Sequence, residues 1–349
     1  MKITLKKKLI DVYKRKLFLK TQEYIELLNQ VNEILENENE NIRPYSNSGA
    51  ENEKPGGIVV LKKNISTIIV PDLHARYGFF LNILLSHANN EDGRTNLERL
   101  LGDSLQIVCV GDGLHAEGRS FLRWQKAFKE FSNNYKKHHH MDEEMKEGLK
   151  VMEMVMLVKK TFPDNFHFLK GNHENISNER GGGNYPFRKF AYEGAMVLDY
   201  VLNFFGKSFL DAYYRFEKNL PLFAIGDNFL ISHAEPKTFF QKDEILNYRD
   251  NPFVTEGFTW TDNGESEPGS VQMMLRHYLG KEELNGSFYF GGHRIISEDY
   301  NMRAGGCYIQ IHNPKKQMIV QIPAQGNIDL DRDIIELKDN IGYIEKQIE

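Results

Sequence analysis

Side chains that bind metal ions recur at five points along this 349-residue sequence. Six of them are candidate ligands: Asp72, His74, Asp112, Asn172, His233 and His293. Asp72 and His74 are two residues apart, so on a continuing strand they face the same way and can bind one ion together. The carboxylate of Asp112 has enough oxygens to bridge two ions. Two ions about 3.5–4 Å apart, bridged in this way, hold the attacking and leaving oxygens of an in-line displacement at phosphorus.

The types of these ligands restrict the metal and the kind of site. Carboxylate, amide and imidazole groups together suit a borderline divalent ion such as Mn²⁺, Fe²⁺ or Zn²⁺. A ligand set without thiolate argues against a structural zinc site, and catalysis needs open positions for water and substrate. We therefore predict a catalytic centre with two divalent ions, with Mn²⁺ as the first candidate.

Short apolar, β-branched runs precede these clusters and predict the strands that position them. The runs are IVVL (58–61), ISTIIV (65–70), LQIVCV (105–110), FHFLKG (166–171) and FLISHA (229–234). Helical patterns lie between several of them, which is typical of an α/β sheet covered on both faces. Ligands bind outside the carboxyl ends of such strands, so we expect the clusters to meet at one edge of the sheet.

The composition is that of an ordinary globular protein, with 40% hydrophobic and 27% charged residues. The net charge of −5 argues against a dedicated nucleic-acid binder, which is normally basic. Two cysteines, Cys109 and Cys307, cannot build a disulfide framework and favour a reducing compartment. No apolar stretch is long enough to span a membrane. These features predict a soluble, cytoplasmic protein.

The two ends of the chain differ from the middle. Residues 1–56 combine a lysine-rich start, a helical apolar pattern and a polar linker, which predicts a helical N-terminal extension. A basic segment such as 1–20 can dock on an anionic membrane surface, but packing on the chain's own catalytic domain is the favoured interpretation. We predict that domain over 57–327, with a helical insert at 121–160, and a C-terminal helix over 328–349.

Five motifs together resemble those of the calcineurin-like metallophosphoesterase superfamily, and most closely its PPP-type serine/threonine protein phosphatases. They are PDLHA (71–75), GDGLHAEGR (111–119), GNHE (171–174), SHAEP (232–236) and GGHRI (291–295). The resemblance implies a β-sandwich flanked by helices, in four layers αββα. It also implies a first ion held by Asp72, His74 and Asp112, and a second held by Asp112, Asn172, His233 and His293. Many members of the superfamily carry a further histidine two residues after the last ligand; here that residue is Ile295.

The same resemblance implies roles in catalysis. His173 would protonate the leaving alcohol, a step to which a positioned histidine contributes roughly 10²–10⁴-fold. The family's acidic partner for this histidine is missing, and the sequence has His115 and Glu117 in its place. We predict Glu117 as the partner. Arg119 is predicted to bind phosphate oxygens through its planar fork.

The leading functional hypothesis is a two-metal phosphomonoesterase that acts on phosphoserine or phosphothreonine in proteins, by direct attack of a metal-bridging hydroxide. Its partner is then a phosphorylated protein or a small phosphate ester, and not a nucleic acid. The family's second phosphate-binding arginine has no convincing match, although Arg180 or Arg188 could substitute for it. This difference keeps open an alternative, a nucleotide or bis(nucleosyl)-polyphosphate hydrolase. A non-catalytic scaffold is a third hypothesis, and the intact ligand set argues against it.

Overall fold

Apolar runs of the sequence form eleven short strands in a computed structural model that describes residues 2–46, 54–87, 90, 92–339 and 342. The strands are β1 (Ile58–Val60), β2 (Ser66–Val70), β3 (Leu105–Cys109), β4 (Phe166–Phe168), β5 (Phe223–Ile225), β6 (Phe229–Ser232), β7 (Phe288–Gly291), β8 (Asn301–Arg303), β9 (Tyr308–Gln310), β10 (Met318–Ile322) and β11 (Ile334–Glu336). The α-helices are α1 (Lys2–Lys14), α2 (Thr21–Glu36), α3 (Tyr77–Leu85), α4 (Asn96–Leu101), α5 (Phe121–Ser132), α6 (His139–Thr161), α7 (Glu193–Phe204), α8 (Lys207–Asn219), α9 (Lys242–Leu246), α10 (Pro252–Thr259), α11 (Ser270–Leu279) and α12 (Leu330–Asp333).

The strands build two sheets that face each other. One has the order β1-β5-β6-β7-β9-β8, and the other has the order β11-β10-β2-β3-β4. In the second sheet β2, β3 and β4 are parallel, with Val70 opposite Cys109 and Cys109 opposite Phe168. In the first sheet β6, β7 and β9 are parallel. Parallel pairing places the carboxyl ends of neighbouring strands at the same edge, which is where the candidate ligands follow.

Side-chain alternation along the strands separates three cores. In β2, Ile69 lies in a core shared by the two sheets, whereas Ile68 and Val70 point to a helical layer on the opposite face. That layer includes α1, α2, α3, α6, α7 and α8. The other sheet packs its outer face, through residues such as Phe223 and Tyr289, on α9, α10 and α11. The predicted four-layer αββα sandwich is confirmed.

The N-terminal helices belong to the helical layer over the five-stranded sheet. Leu9, Leu28 and Val31 are fully buried in that core. The hydroxyl of Tyr24 in α2 donates to the carbonyl of Leu149 in α6, at 3.0 Å. The apolar face of α1 therefore packs in the core of the helical layer. This agrees with the favoured prediction that the segment packs on the rest of the chain and does not dock on a membrane. Among the described residues, none of the helices combines the length and apolarity needed to cross a bilayer.

The segment predicted as a linker is held in place where the structure describes it. Arg43 is fully buried, and its Nη1 donates to Glu38 Oε2 at 2.6 Å while its Nε donates to the carbonyl of Gly56 at 2.7 Å. Lys159 of α6 also donates to Glu38. The stretch 47–53 lies outside the described residues. Buried charges that are paired in this way fix the segment against α6.

The end of the chain corrects the sequence-based prediction. Residues 328–339 contain the four-residue helix α12 and the strand β11, which pairs antiparallel with β10. The β-branched side chains of Ile334 and Ile335 pack on opposite faces of the sheet, and this burial favours a strand. The predicted continuous helix over 328–349 is thus wrong for 328–339, and 340, 341 and 343–349 lie outside the described residues.

Replacing Leu28 by alanine is expected to lower the free energy of unfolding by about 2–5 kcal/mol, because it leaves a cavity in a fully packed core. Leu17, which is 75% exposed between α1 and α2, provides the matched control. Leu17→Ala should change stability by less than about 0.5 kcal/mol. Urea denaturation of both variants measures the difference. Equal stability of the two would show that α2 does not pack on α6 and α8 in solution.

Candidate metal centre

All six candidate ligands lie together at the strand ends, between the two sheets. They are Asp72, His74, Asp112, Asn172, His233 and His293, and five of the six are less than 5% exposed. His233 occupies the centre of the cluster. Its Nδ1 is 3.5 Å from Asp72 Oδ1, and its Nε2 is 3.5 Å from Asp112 Oδ2 and 2.9 Å from Asn172 Oδ1. His293 Nδ1 lies 3.1 Å from the same Asn172 oxygen. The structure thus brings the predicted ligands of both ions into one site.

Backbone carbonyls set the orientation of two of the imidazoles. Nδ1 of His74 donates to the carbonyl of His115 at 2.9 Å, and Nδ1 of His233 donates to that of Val110 at 3.1 Å. Each ring is left with a lone pair on Nε2, facing Asp112 Oδ2. Burial lowers the pKa of His74 to about 3 and that of His233 well below its ordinary value. Neutral imidazoles that present a lone pair are the form in which histidine binds metals.

The two aspartates carry an excess of buried negative charge. Burial raises the pKa of Asp72 to about 6. Burial, with the nearby carboxylates of Glu174 and Asp72, raises the pKa of Asp112 well above its ordinary value. Asp72 Oδ1 and His293 Nε2 are buried and have no hydrogen-bond partner among the described residues. Lone pairs that converge without donors need cations, so this donor set fits divalent ions.

The loops that carry the candidate ligands lie very close together at two glycines, where a side chain would not fit. A Cβ on Gly171 would lie 2.2 Å from Asp112 Oδ1, and one on Gly292 would lie 2.2 Å from Asp72 Oδ1. Ligands themselves also adopt the left-handed backbone region: φ is 40° at His74, 52° at Asp112 and 63° at His293. Non-glycine residues are rare in that region, and such strained conformations cluster at functional sites.

Glu174, the last residue of GNHE, ties two of the ligand loops together. Its carboxylate accepts hydrogen bonds from the backbone N–H groups of Asp112 and Gly113, both at 2.8 Å, and of Gly171 at 2.7 Å. The backbone N–H of His173 donates in turn to Asp112 Oδ1, at 2.9 Å. These bonds fix the loops after β3 and β4 relative to each other, which holds Asp112 in place.

His173, the predicted general acid, lies beside the cluster. Its Nε2 is 3.7 Å from Asp112 Oδ2, and the ring of Phe187 covers it at 3.7 Å between centroids. Burial, with His74 and His115 adding to it, lowers the pKa of His173 well below its ordinary value. Nδ1 of His173 faces Nδ1 of His115 at 3.1 Å, so one ring donates to the other. The sequence predicts Glu117 as the partner of His173. In the structure the hydrogen-bond partner is His115 instead.

Glu117 makes its hydrogen bonds to two other side chains, His312 and Lys189. Its Oε2 accepts from His312 Nε2 and its Oε1 from Lys189 Nζ, both at 2.9 Å, and Oε1 also lies 3.5 Å from His74 Nε2. Burial opposes ionisation, but His74, His312 and Lys189 outweigh it and hold the pKa of Glu117 well below its ordinary value. Glu117 is therefore a buried carboxylate with two fixed partners.

Arg119 lies on the rim of the site. Its Nη2 donates to the carbonyl of Ala75 at 3.2 Å and forms an ion pair with Glu147 Oε2 at 2.7 Å, and the side chain is 41% exposed. The predicted insert provides that partner from α6. A second carboxylate of α6, Glu144, accepts from the backbone N–H of Ala116 at 2.8 Å. The insert thus supports the loop that carries Glu117 and Arg119.

Comparison with solved structures identifies the fold of this arrangement. A serine/threonine phosphatase from Saccharomyces cerevisiae, with similarity to human phosphatase PP5, matches with a TM-score of 0.52 and 14% identity, over 91% of this chain and 89% of its own. The chain has the calcineurin-like metallophosphoesterase fold. A cold-active protein-tyrosine phosphatase from a Shewanella species has 14% identity and a TM-score of 0.47, over 85% of this chain and 90% of that chain. A protein proposed to be a diadenosine tetraphosphatase has 15% identity and a TM-score of 0.38, over 80% and 98%. No protein-family model and no curated protein matches the sequence.

A cleft opens beside His173 on this metallophosphoesterase fold. It has a volume of about 250 Å³ and shares the ring of Phe187 with the wall of the metal centre. Arg180 and Arg188, the candidates for a second phosphate-binding arginine, both line it, together with Tyr185. The cleft therefore has two cations and aromatic surface in its lining, and the Phe187 ring connects it to the proposed acid.

Sequence analysis missed one histidine of the site, His312. It follows β9 by two residues, is fully buried, and its Nδ1 lies 3.3 Å from Asp72 Oδ2. A signal was present, because His312 follows the apolar run YIQI in the same way that the predicted ligands follow theirs. It was overlooked because it belongs to none of the five motifs.

Proposed function

We propose that this protein is a two-metal phosphoesterase that hydrolyses phosphate monoesters, with phosphoserine and phosphothreonine in proteins as the leading substrates. One observation carries the proposal. Buried carboxylate, amide and imidazole groups converge directly beside His173, and among the described residues Asp72 Oδ1 and His293 Nε2 receive no hydrogen bond there. The metallophosphoesterase fold supports the proposal, since the edge at the carboxyl ends of the strands is where such sheets bind ligands.

The ions would be held by the six predicted ligands. Asp72, His74 and Asp112 would bind the first, and Asp112, Asn172, His233 and His293 the second. Two divalent ions at such a centre supply Lewis-acid stabilisation of phosphoryl oxygens and a water activated for direct attack. We propose Mn²⁺ as the native metal, with Fe²⁺ and Zn²⁺ as alternatives. The two free cysteines support the cytoplasm as the proposed location.

His173 would move the proton that the leaving group needs. The acidic form of His173 carries a proton on each ring nitrogen, so its Nδ1 would donate to Nδ1 of His115 while its Nε2–H faces the cluster. A phosphate dianion bound nearby raises the pKa of an imidazole and so favours its acidic form. A proton delivered from Nε2 neutralises the alkoxide that departs, which is a poor leaving group without it.

The cleft beside His173 would receive the organic part of the substrate. Arg180 and Arg188 can pair with phosphoryl oxygens through their planar guanidinium groups. Arg119 can do so only after it leaves Glu147. The aromatic lining favours the alternative too, because rings such as Tyr185 can stack on a nucleobase of a nucleotide or bis(nucleosyl) polyphosphate.

Turnover of nitrophenyl phosphate by the Mn²⁺-loaded protein tests the proposal, with the metal-stripped protein as the control. Activity that appears only with metal supports a phosphoesterase, and no activity with metal bound would leave the scaffold hypothesis. A second panel compares phosphoserine peptides with nucleoside polyphosphates on the same preparation. We expect higher kcat/KM for the phosphopeptides; the reverse order would favour the nucleotide hydrolase.

A further inference from the structure

His312 has one ring nitrogen bound and one free. Nε2 is 2.9 Å from Glu117 Oε2, within hydrogen-bond distance. Nδ1 lies 3.3 Å from Asp72 Oδ2 but makes no hydrogen bond to any described residue, although the side chain is fully buried. A buried polar atom without a partner needs an explanation, because leaving it unmade costs about 1–3 kcal/mol.

The protonation of the ring follows from its bound side. An ionised carboxylate can only accept, so in this 2.9 Å hydrogen bond Nε2 of His312 is the donor and Glu117 Oε2 is the acceptor. A neutral ring then presents a lone pair at Nδ1 to the acceptor oxygen of Asp72. Two acceptors face each other at that point. A cation bound by both His312 Nδ1 and Asp72 Oδ2 would relieve their repulsion. If Nδ1 carried a proton, it would donate a hydrogen bond to Asp72 Oδ2, and the structure has no such bond.

The surrounding atoms match a ligand set for one ion. One oxygen of Asp72, one nitrogen of His74 and one nitrogen of His312 all lie within 4.8 Å of one another, and all three residues are buried. Glu117 supports His312 from behind, and Lys189 holds the other oxygen of that carboxylate at 2.9 Å. Metal-binding histidines commonly donate their second N–H to a carboxylate, which fixes the ring and raises its basicity.

We infer that His312 is a further ligand of the first ion and that Glu117 is its positioning residue, an inference that rests on the proposed two-ion centre. The position two residues after His293 is Ile295, so that motif supplies no second histidine to this ion. His312 enters the site from β9 instead, the neighbour of β7 in the sheet. Two imidazoles on the first ion favour borderline metals over Mg²⁺.

Metal binding, rather than activity, tests the inference. Metal-stripped wild-type protein and His312→Gln are titrated with Mn²⁺ against a competing chelator, and the bound metal is counted by elemental analysis. We expect wild type to bind two ions and His312→Gln to bind one with unchanged affinity and the other at least roughly 10–100-fold more weakly, the loss typical even for a residue behind a ligand. Electron paramagnetic resonance of the Mn²⁺ should change from a coupled pair to a single ion.

Two further variants keep the test decisive. Glu117→Gln keeps an acceptor but removes the charge, and we expect it to weaken the same ion by roughly 10–100-fold, even if His312→Gln fails to fold. His167→Gln is the control, because His167 is a buried histidine of β4 that lies outside the cluster, and it should bind both ions as wild type does. Wild-type affinities for both ions in His312→Gln and Glu117→Gln would overturn the inference alone. Failure of wild type to bind two ions would overturn the proposed centre as well.

Discussion

Asp112→Asn should lower phosphatase turnover by roughly 10³-fold and reduce the bound metal below two ions per chain. Bound metal ions stabilise the charge of the transition state by several kcal/mol, and each ~1.4 kcal/mol of that stabilisation that is lost lowers the rate tenfold. Asp112 Oδ2 lies 3.6 Å from His74 Nε2, 3.5 Å from His233 Nε2 and 3.7 Å from His173 Nε2, so it is shared by both halves of the centre. Asparagine keeps the shape but removes the charge and one ligand oxygen.

Elemental analysis and steady-state kinetics of the same preparation measure this effect. Asp211→Asn is the matched control, because Asp211 lies on the exposed face of α8 in an ion pair with Lys207. It should retain two ions and wild-type kcat. Two tightly bound ions in Asp112→Asn, with kcat within a few-fold of wild type, would show that this carboxylate does not join the two ions.

His173→Asn should lower kcat by roughly 10²–10³-fold while both ions stay bound, as expected when one general acid is removed. The loss should depend on the leaving group. Nitrophenolate departs without a proton, whereas the alkoxide of serine needs one, so phosphoserine hydrolysis should suffer more. Metal content is measured alongside, because Asn172, the neighbouring residue, is a proposed ligand.

The ratio of the two losses is the informative quantity. Equal losses on nitrophenyl phosphate and a phosphoserine peptide, with the metals intact, would remove His173 from the acid role and leave it as a phosphate-orienting residue. His115→Asn provides a second comparison, because the Nδ1 of its ring faces Nδ1 of His173. It should change the same ratio in the same direction by a smaller amount.

The layers and the predicted ligand cluster followed from the sequence because their signals are local. Asp72 and Asp112 each come just after a buried apolar run, and parallel pairing of β2 with β3 then brings them together. GNHE after β4 adds Asn172 by the same rule. Strand periodicity and the order of the clusters were sufficient for this part of the site.

Partners across the site could not be read in the same way. His115 and Glu117 lie two residues apart in one loop. His115 faces His173 and Glu117 faces His312. This difference depends on the course of the loop after Asp112, whose backbone is in the left-handed region. His312 is 240 residues beyond Asp72, so their approach depends on the stacking of two sheets. The strand β11 depends in the same way on an edge that β10 provides.

The position of β10 in its sheet has a consequence for the order in which the protein can mature. This strand lies between β11 and β2 and pairs Val320 with Ile69. A nascent chain on the ribosome cannot close this sheet until residues beyond 318 have been synthesised. Asp72 and His312 likewise cannot meet until both have been synthesised. The proposed centre would therefore be completed late in synthesis, and a chain that ends before 312 would lack one of its proposed ligands.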